Sequence, residues 1–457
     1  MSALLIAVPL AFAFASLPHK KLGNYFFTFV TLFNILALLL YLKPTQLVEI
    51  GGWSAAYGIA LVLDSVSYPF LIFVNAILLV ISLTANLEEK YGTLMLVLTA
   101  ALNGIILTGD FFNSFVFFEI IAAVAYIIAS HKNNSYGAFK YLIFGGVGGT
   151  LYLIGAVMTY IKAGTLNMAY AGFIIDPSVV PVITVFFLIA LLIELKVLPL
   201  GLWAPDVYSN GSSITPVVLG SAVTVSMVYL FSRIFFNVLG FEHTKLVSIL
   251  AMVSIIIAQL GALKQKNLGR ALAFAAIAGV SVVVAGLATA NEEVISASYF
   301  YLFNDAISKI ILFTVFAYTG HRGFKNDKTT GIIFTIASLS LIGFPLFTGF
   351  WAKFYLIKAL FETENYVLPA VILISTIIEA GYLIKWNVDL WYKEHEAQES
   401  EEENYIPFAS QLVLLLLAMV LVLVGFLPDI IYSQTNSIAT HVLDAKTYMD
   451  VILKGGM

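Results

Sequence analysis

The 457 residues are 60% hydrophobic and only 11% charged, with a mean hydropathy of +0.96. Globular chains are about 25% charged, and no soluble core absorbs apolar runs of about 20 residues repeated along a whole chain, so a soluble enzyme is excluded. The net charge of −4 gives no footing for nucleic-acid binding, and the absence of cysteine excludes thiolate-ligated clusters and disulfides on this chain.

Each run is long enough to cross a hydrocarbon layer about 30 Å thick as a helix. A membrane barrel would alternate polar and apolar residues, whereas 185–193 and 412–427 are continuously apolar. The chain therefore reads as an all-α polytopic membrane bundle of about fourteen helices. In order, the runs lie near 3–17, 25–42, 64–86, 91–108, 111–130, 138–161 and 180–200. They continue near 213–236, 246–263, 270–290, 297–320, 332–356, 366–392 and 408–427. Residues 1–17 have no basic stretch ahead of the apolar run, so they are expected to form a retained first helix rather than a cleaved signal. Residues 43–63 hold either a loop or an interfacial hairpin.

Loops after odd-numbered helices carry His19, Lys20 and Lys21, then His131 and Lys132, then Lys264, Lys266 and Arg270, then Arg322, Lys325 and Lys328. Loops after even-numbered helices hold single lysines (Lys43, Lys162, Lys245, Lys358) together with Asp110, Glu292 and Glu293. The positive-inside rule then places the chain in the cell membrane with both termini on the outer side. Two loops fit poorly: the one after the seventh helix has Asp206 and no base, and 393–403 is acidic.

The seventh and twelfth runs echo each other. Pro199-Leu200 precedes Trp203-Ala204, and Pro345-Leu346 precedes Trp351-Ala352. Proline inside a membrane helix frees backbone groups that need new partners. Two unrelated kinks would explain this, and so would two broken helices at matching places in inverted repeats, with an ion path at their junction.

A charge at mid-bilayer costs at least about 2.5–3.5 kcal/mol, so each one needs a reason. Glu119 lies in Phe115-Val116-Phe117-Phe118-Glu119-Ile120-Ile121, a setting suited to binding and releasing protons or to a structural hydrogen bond with a neighbouring helix. Asp305 and Lys309 are four apart and share a helix face, as a static pair or as a relay. Glu194 and Lys196 are two apart and are expected not to pair. Lys353 either lines a path or snorkels to the surface. Glu379 is deep in its helix and Lys385 nearer an end; Lys140, Asp64 and Asp110 are expected near interfaces.

At these residues the sequence resembles the antiporter-like subunit family of complex I, multisubunit cation/proton (Mrp-type) antiporters and archaeal membrane-bound hydrogenase/sulfane reductase-type complexes. Asp64-Ser65 is similar to the family's early Leu-Asp segment, and Leu107-Thr108-Gly109-Asp110 with Phe118-Glu119 to its glycine-Asp run and membrane glutamate. Phe139-Lys140-Tyr141 and Leu151-Tyr152-Leu153-Ile154-Gly155 resemble its sixth helix. Asn304 with Lys309 resembles a segment in which Asn-His precedes lysine; Leu341-Ile342-Gly343-Phe344-Pro345, Gly349-Phe350 and Lys353 resemble its Gly-Ile-Pro-Pro, Gly-Phe-Phe and lysine stretch. The sequence also departs from the pattern. Glu194 stands where the family has its seventh-helix lysine, and Lys196 is displaced by about 200° around a helix. Gly201 replaces a histidine, Val225 the eighth-helix lysine, Gly269 and Gly279 a lysine and a histidine, and Asp305 the histidine before Lys309.

The resemblance implies helices 1–3 in residues 1–90, two inverted five-helix repeats at 91–236 and 246–392, and a last helix and tail in 393–457. It implies broken seventh and twelfth helices and an ion-translocating subunit, for protons or sodium, of a redox-driven or Mrp-type complex. Its relay residues would be Glu119, Glu194, Lys196, Asp305, Lys309, Lys353 and Glu379. No redox catalysis or cofactor is expected on this chain; redox cofactors would sit on partner subunits. Those partners would be other membrane subunits, antiporter-like homologues among them. The rival readings are a structural subunit with a degenerate ion path and a stand-alone transporter of a small solute.

Overall fold

The computed structural model describes residues 1–85, 91–130, 134–210, 214–240, 243–320, 323–392 and 406–455. His131, Lys132, Arg322 and the acidic stretch 393–403, all of which bear on sidedness, lie outside the described residues.

Asparagine and aspartate set the helix starts. Each lends a side-chain oxygen to an otherwise unpaired N–H of the first turn. Asn134 accepts from Gly137, Asn267 from Arg270, Asn291 from Val294 and Asp327 from Thr330. Glycines in the left-handed conformation end two helices, at Gly164 and Gly343. Among the described residues ten helices are long and apolar enough to cross a membrane. Shorter apolar helices occupy Leu4–Ser16, Tyr91–Leu107, Val180–Glu194 and Lys328–Ile342. Each apolar run of the sequence therefore contains helix among the described residues.

The inner helices are Ile214–Val238, Leu268–Leu287 and Glu292–Thr319, which are almost wholly buried. Outer helices such as Lys20–Leu40 and Phe408–Phe426 bury one face and turn the rest outward, as lipid-facing helices do. Both proline-bearing runs are interrupted. Val180–Glu194 stops before an irregular stretch and resumes as Ala204–Asn210; Lys328–Ile342 stops at Gly343 and resumes as Thr348–Glu362.

The region 43–63 holds a hairpin, a small addition to an otherwise helical fold. Strands β1, Gln46–Glu49, and β2, Ala60–Leu63, pair antiparallel, with Gln46 opposite Leu63. The hairpin is fixed to two other loops at the same end of the bundle. Gly109 donates its N–H to the Ala60 carbonyl at 2.9 Å, Met168 to that of Gly109 at 2.8 Å, and Phe111 to that of Leu166 at 2.9 Å. The C-terminal helix Ala445–Gly455 packs on β1 and on the end of Ile214–Val238.

At the opposite end lies a three-charge network. Asp206 takes Lys140 at 2.7 Å and Arg270 at 3.0 Å. The loop that lacked a base in the sequence thus draws its cations from two other helices. It joins Ser135–Ala163, in the first half of the chain, to Leu268–Leu287 in the second.

Candidate functional site: a chain of buried charges through the bundle

Six of the seven candidate residues are buried inside the bundle, and Glu119 is partly buried. They lie on or beside both broken helices.

Glu194 is the last residue of Val180–Glu194 and receives a 2.5 Å hydrogen bond from the Tyr141 hydroxyl. Tyr141 is held flat against Trp203, with ring centroids 4.0 Å apart, and Trp203 donates from Nε1 to the Ile193 carbonyl at 3.1 Å. The irregular stretch between the two segments thereby fixes the partner of the first segment's terminal carboxylate. As expected, Lys196 does not pair with Glu194. Its Nζ donates to the Thr224 hydroxyl at 2.5 Å and to the Leu219 carbonyl at 3.2 Å. Leu219 begins a π-helical stretch, Leu219–Val223, and such wide turns leave carbonyls accessible to side chains.

Lys196 does not follow the angular displacement expected of a continuous helix. The helix stops at Glu194, and Lys196 takes a left-handed φ of 53°. This bend also accounts for Gly201. A Cβ there would lie 1.9 Å from the Lys196 carbonyl oxygen, so the bend leaves no room for a side chain at 201. The displaced lysine and the absent histidine are one structural change.

In the second half Asp305 and Lys309 form an ion pair on one face of Glu292–Thr319, and Lys309 also donates to the Ala276 carbonyl at 3.3 Å. Gly279 lies against them: a Cβ there would fall 2.3 Å from Asp305 Oδ1 and 2.9 Å from Lys309 Nζ. Neighbours fill the other altered positions as well. Phe316 occupies the space beside Gly269, and Thr224, next to buried Val225, meets Lys196.

Lys353 neither snorkels nor stands alone. It is buried, bonded to Glu379 at 2.8 Å and to the Ile342 carbonyl at 3.0 Å, the end of the first segment of the twelfth run. Sequence reasoning missed the Lys353–Glu379 pair because its members lie on separate helices. Asn304 also reaches the break, accepting from Ser340 Oγ at 2.7 Å.

Glu119 sits against Gly149, where a Cβ would come within 1.8 Å of its Oε1. It has no hydrogen-bond or ion-pair partner among the described residues, so the structural hydrogen bond to a neighbouring helix is not present there. Of the other charges weighed, Lys385 is exposed, Lys140 joins the Asp206 network, and Asp64 is buried.

Asp64 has a partner that sequence reasoning missed. Arg233 is 1% exposed and binds Asp64 through Nη2 at 2.7 and 2.8 Å. It also donates to the Tyr229 hydroxyl and to Asn237 Oδ1, and its guanidinium lies 4.1 Å from the Tyr448 ring centroid. The available signal was a lone arginine inside an apolar run, which requires a buried counter-charge.

The charges form a continuous series. Glu119 is in electrostatic reach of Glu194, Glu194 of Lys196, Lys196 of Asp305 and Lys309, and Asp305 of Glu379. Tyr208 is within electrostatic reach of both Glu194 and Asp305, and Tyr382 of both Asp305 and Glu379. At low internal dielectric, neighbouring charges of such a series are strongly coupled.

Comparison with known proteins gives the family and the fold. The chain is 29% identical over 448 residues to one subunit of the Na(+)/H(+) antiporter of Alkalihalophilus pseudofirmus, covering 92% of this chain and 90% of the relative. It is 26% identical to the like-named subunit from Bacillus subtilis, covering 93% and 92%. A chain of the archaeal membrane-bound sulfane sulfur reductase superposes with a TM-score of 0.88 at 29% identity, over 99% of both chains. A chain of the Mrp complex from a Dietzia species superposes at 0.90 over 99% of both, at 22% identity, which speaks for the fold alone. Residues 108–379, from the loop before Asp110 to Glu379, match the model of the NADH:quinone oxidoreductase/Mrp antiporter transmembrane family, and this multi-pass membrane protein belongs to that family.

Proposed function

We propose that this chain moves protons or sodium ions across the cell membrane as a subunit of a redox-driven respiratory or Mrp-type complex. Glu119, Glu194, Lys196, Asp305, Lys309, Lys353 and Glu379 act as its relay. The observation that carries the proposal is the unbroken series of buried charges through both broken helices. Insertion of such charges is costly, and in membranes they mark ion paths. Buried Glu194 Oε2, Tyr208 OH, Asp305 Oδ1 and Tyr382 OH have no hydrogen-bond partner among the described residues, and polar atoms of this kind ordinarily bind water, which carries protons.

Energy comes from partner subunits, and any redox cofactors lie on them. Helices 4–8 and 9–13 form two inverted repeats, supported by the matching interruptions after Glu194 and Ile342. The hairpin end faces outward with both termini, and the Lys140–Asp206–Arg270 network faces inward, as the loop bases indicate. A scaffold with a degenerate path is less well supported, because the series of charges remains continuous.

The test is gradient formation by the purified complex in proteoliposomes, with wild type compared with a Glu379→Gln, Glu194→Gln double variant. Loss of proton and sodium movement with the complex intact is expected. Unchanged gradients would establish the scaffold reading, and solute uptake by the chain purified alone would establish a stand-alone transporter.

A further inference from the structure

The hairpin roofs a cavity of about 410 Å³. Trp53, Ala56, Tyr57 and Ile59 line its outer side; Asp110, Thr165 and Asn167 are among the residues that line it from within. Three loops build it. Thr165 donates its hydroxyl to the Ala56 carbonyl at 2.8 Å, tying the roof to the segment after Ser135–Ala163. The bonds of Gly109 to Ala60 and of Met168 to Gly109 hold Asp110 and Asn167 beside each other.

Its polar groups are placed for exchange. Asp110 is 6% exposed and uses Oδ1 to cap Asn113 N–H at 2.7 Å. An Asp at this position is ordinarily only a helix cap. Here a second observation adds to that role: Asn167 is 1% exposed, lines the cavity, and its side-chain NH2 has no partner among the described residues. A carboxylate that accepts, an amide that donates and a volume sufficient for several waters suit a water-filled recess. Trp53, Tyr57 and Tyr160 are exposed around it, as aromatics are at a membrane–water boundary.

We propose that this cavity is a proton vestibule in which Asp110 exchanges protons with the aqueous phase at the hairpin end of the bundle. In the step, a hydronium ion in the cavity gives its proton to the carboxylate, leaving water and a neutral carboxylic acid; release is the reverse. One turn along the helix that Asp110 caps, the Ser114 hydroxyl shares a 2.7 Å hydrogen bond with that of Tyr152 on Ser135–Ala163. Burial pushes the Asp110 carboxyl up to about 6, against the lowering effect of the Asn113 and Phe112 N–H groups, so it changes charge close to neutrality. The titratable groups facing it are tyrosines: Tyr57 and Tyr160 at the cavity, and Tyr152 and Tyr448 packed nearby. Glu49 on the hairpin is committed to the Ala55 N–H, and Asp64 and Arg233 behind Tyr448 are committed to each other. The inference extends the ion-path reading and is tested separately from it.

The chain contains no cysteine, so an introduced cysteine is its single labelling site, read on this chain's own band against the unsubstituted complex. In native membrane vesicles holding the assembled complex, Thr165→Cys, deep in the cavity, and Tyr57→Cys, at its rim, are exposed to a membrane-impermeant cationic methanethiosulfonate. Labelling of both from the same side is expected. In the purified complex, the infrared carboxyl band should show a component titrating near pH 6, absent in Asp110→Asn and retained in Asp110→Glu. Asparagine can still cap the helix, so Asp110→Asn preserves the fold. Labelling at Tyr57→Cys with none at Thr165→Cys overturns the vestibule, and so does a carboxyl titration unchanged in Asp110→Asn. Neither readout needs transport. If both appear in a complex that moves no ions, the ion-path reading fails and the vestibule stands.

Discussion

Lys353 and Glu379 meet at 2.8 Å inside the bundle, although one follows a helix break and the other lies on the next helix, 26 residues away. The lysine is also bonded to the Ile342 carbonyl at the end of the preceding segment. A single ammonium thus joins both sides of an interruption to a buried carboxylate.

Removing one member should therefore do more than weaken a bond. Lys353→Met leaves Glu379 buried without its counter-charge, a loss of about 3–5 kcal/mol for a buried pair. The Lys353→Met, Glu379→Met double variant should regain most of the thermal stability and none of the ion movement. Melting of the purified complex alongside gradient formation checks both halves. Full transport by the double variant would remove this pair from the relay.

Asp305 and Lys309 should be sensitive to Gly279. Gly279→Ala places a methyl group 2.3 Å from Asp305 Oδ1, so the pair must shift or part. Asp305→Asn, which keeps the shape and removes the charge, should slow translocation per assembled complex by about tenfold or more. Asp305→His should retain part of the rate, because histidine exchanges protons near neutral pH. Equal rates in the wild type and both Asp305 variants would make the pair purely structural.

Glu119→Gln tests the most weakly held carboxylate. With no ion-pair partner among the described residues, its loss should change assembly little, within about 0.5 kcal/mol, while reducing ion flow. Gly149→Ala should disturb Glu119 by a different route, since the added carbon falls 1.8 Å from Oε1. Undiminished gradients in Glu119→Gln would exclude it from the path.

Arg233 should behave as a structural cation. Arg233→Met leaves Asp64 uncompensated and should lower stability by about 3–5 kcal/mol. Arg233→Lys should recover only part of this, because a lysine cannot reproduce bonds to Asp64, Tyr229 and Asn237 together. Chemical unfolding of the detergent-solubilised complex is the measurement.

Local features were legible in the sequence. Apolar runs located the helices, prolines located both interruptions, and four-residue spacing brought Asp305 to Lys309. Long-range pairings were not: nothing beside Lys353 points to Glu379, and nothing beside Asp64 points to Arg233. Lys196 failed for a different reason. Its direction was inferred from helical periodicity, and the backbone leaves the helix two residues earlier.

The Asp64–Arg233 pair also constrains the order in which the chain matures. The carboxylate precedes its guanidinium by 169 residues, and Asn237 in turn anchors to the Val442 carbonyl near the other end of the sequence. During synthesis the early helices emerge carrying an acid whose neutralising cation has not yet been made. The cluster is complete only with Ile214–Val238 and the segment bearing Val442 and Tyr448 in place. A nascent chain stalled before residue 233 should remain loosely packed around Asp64.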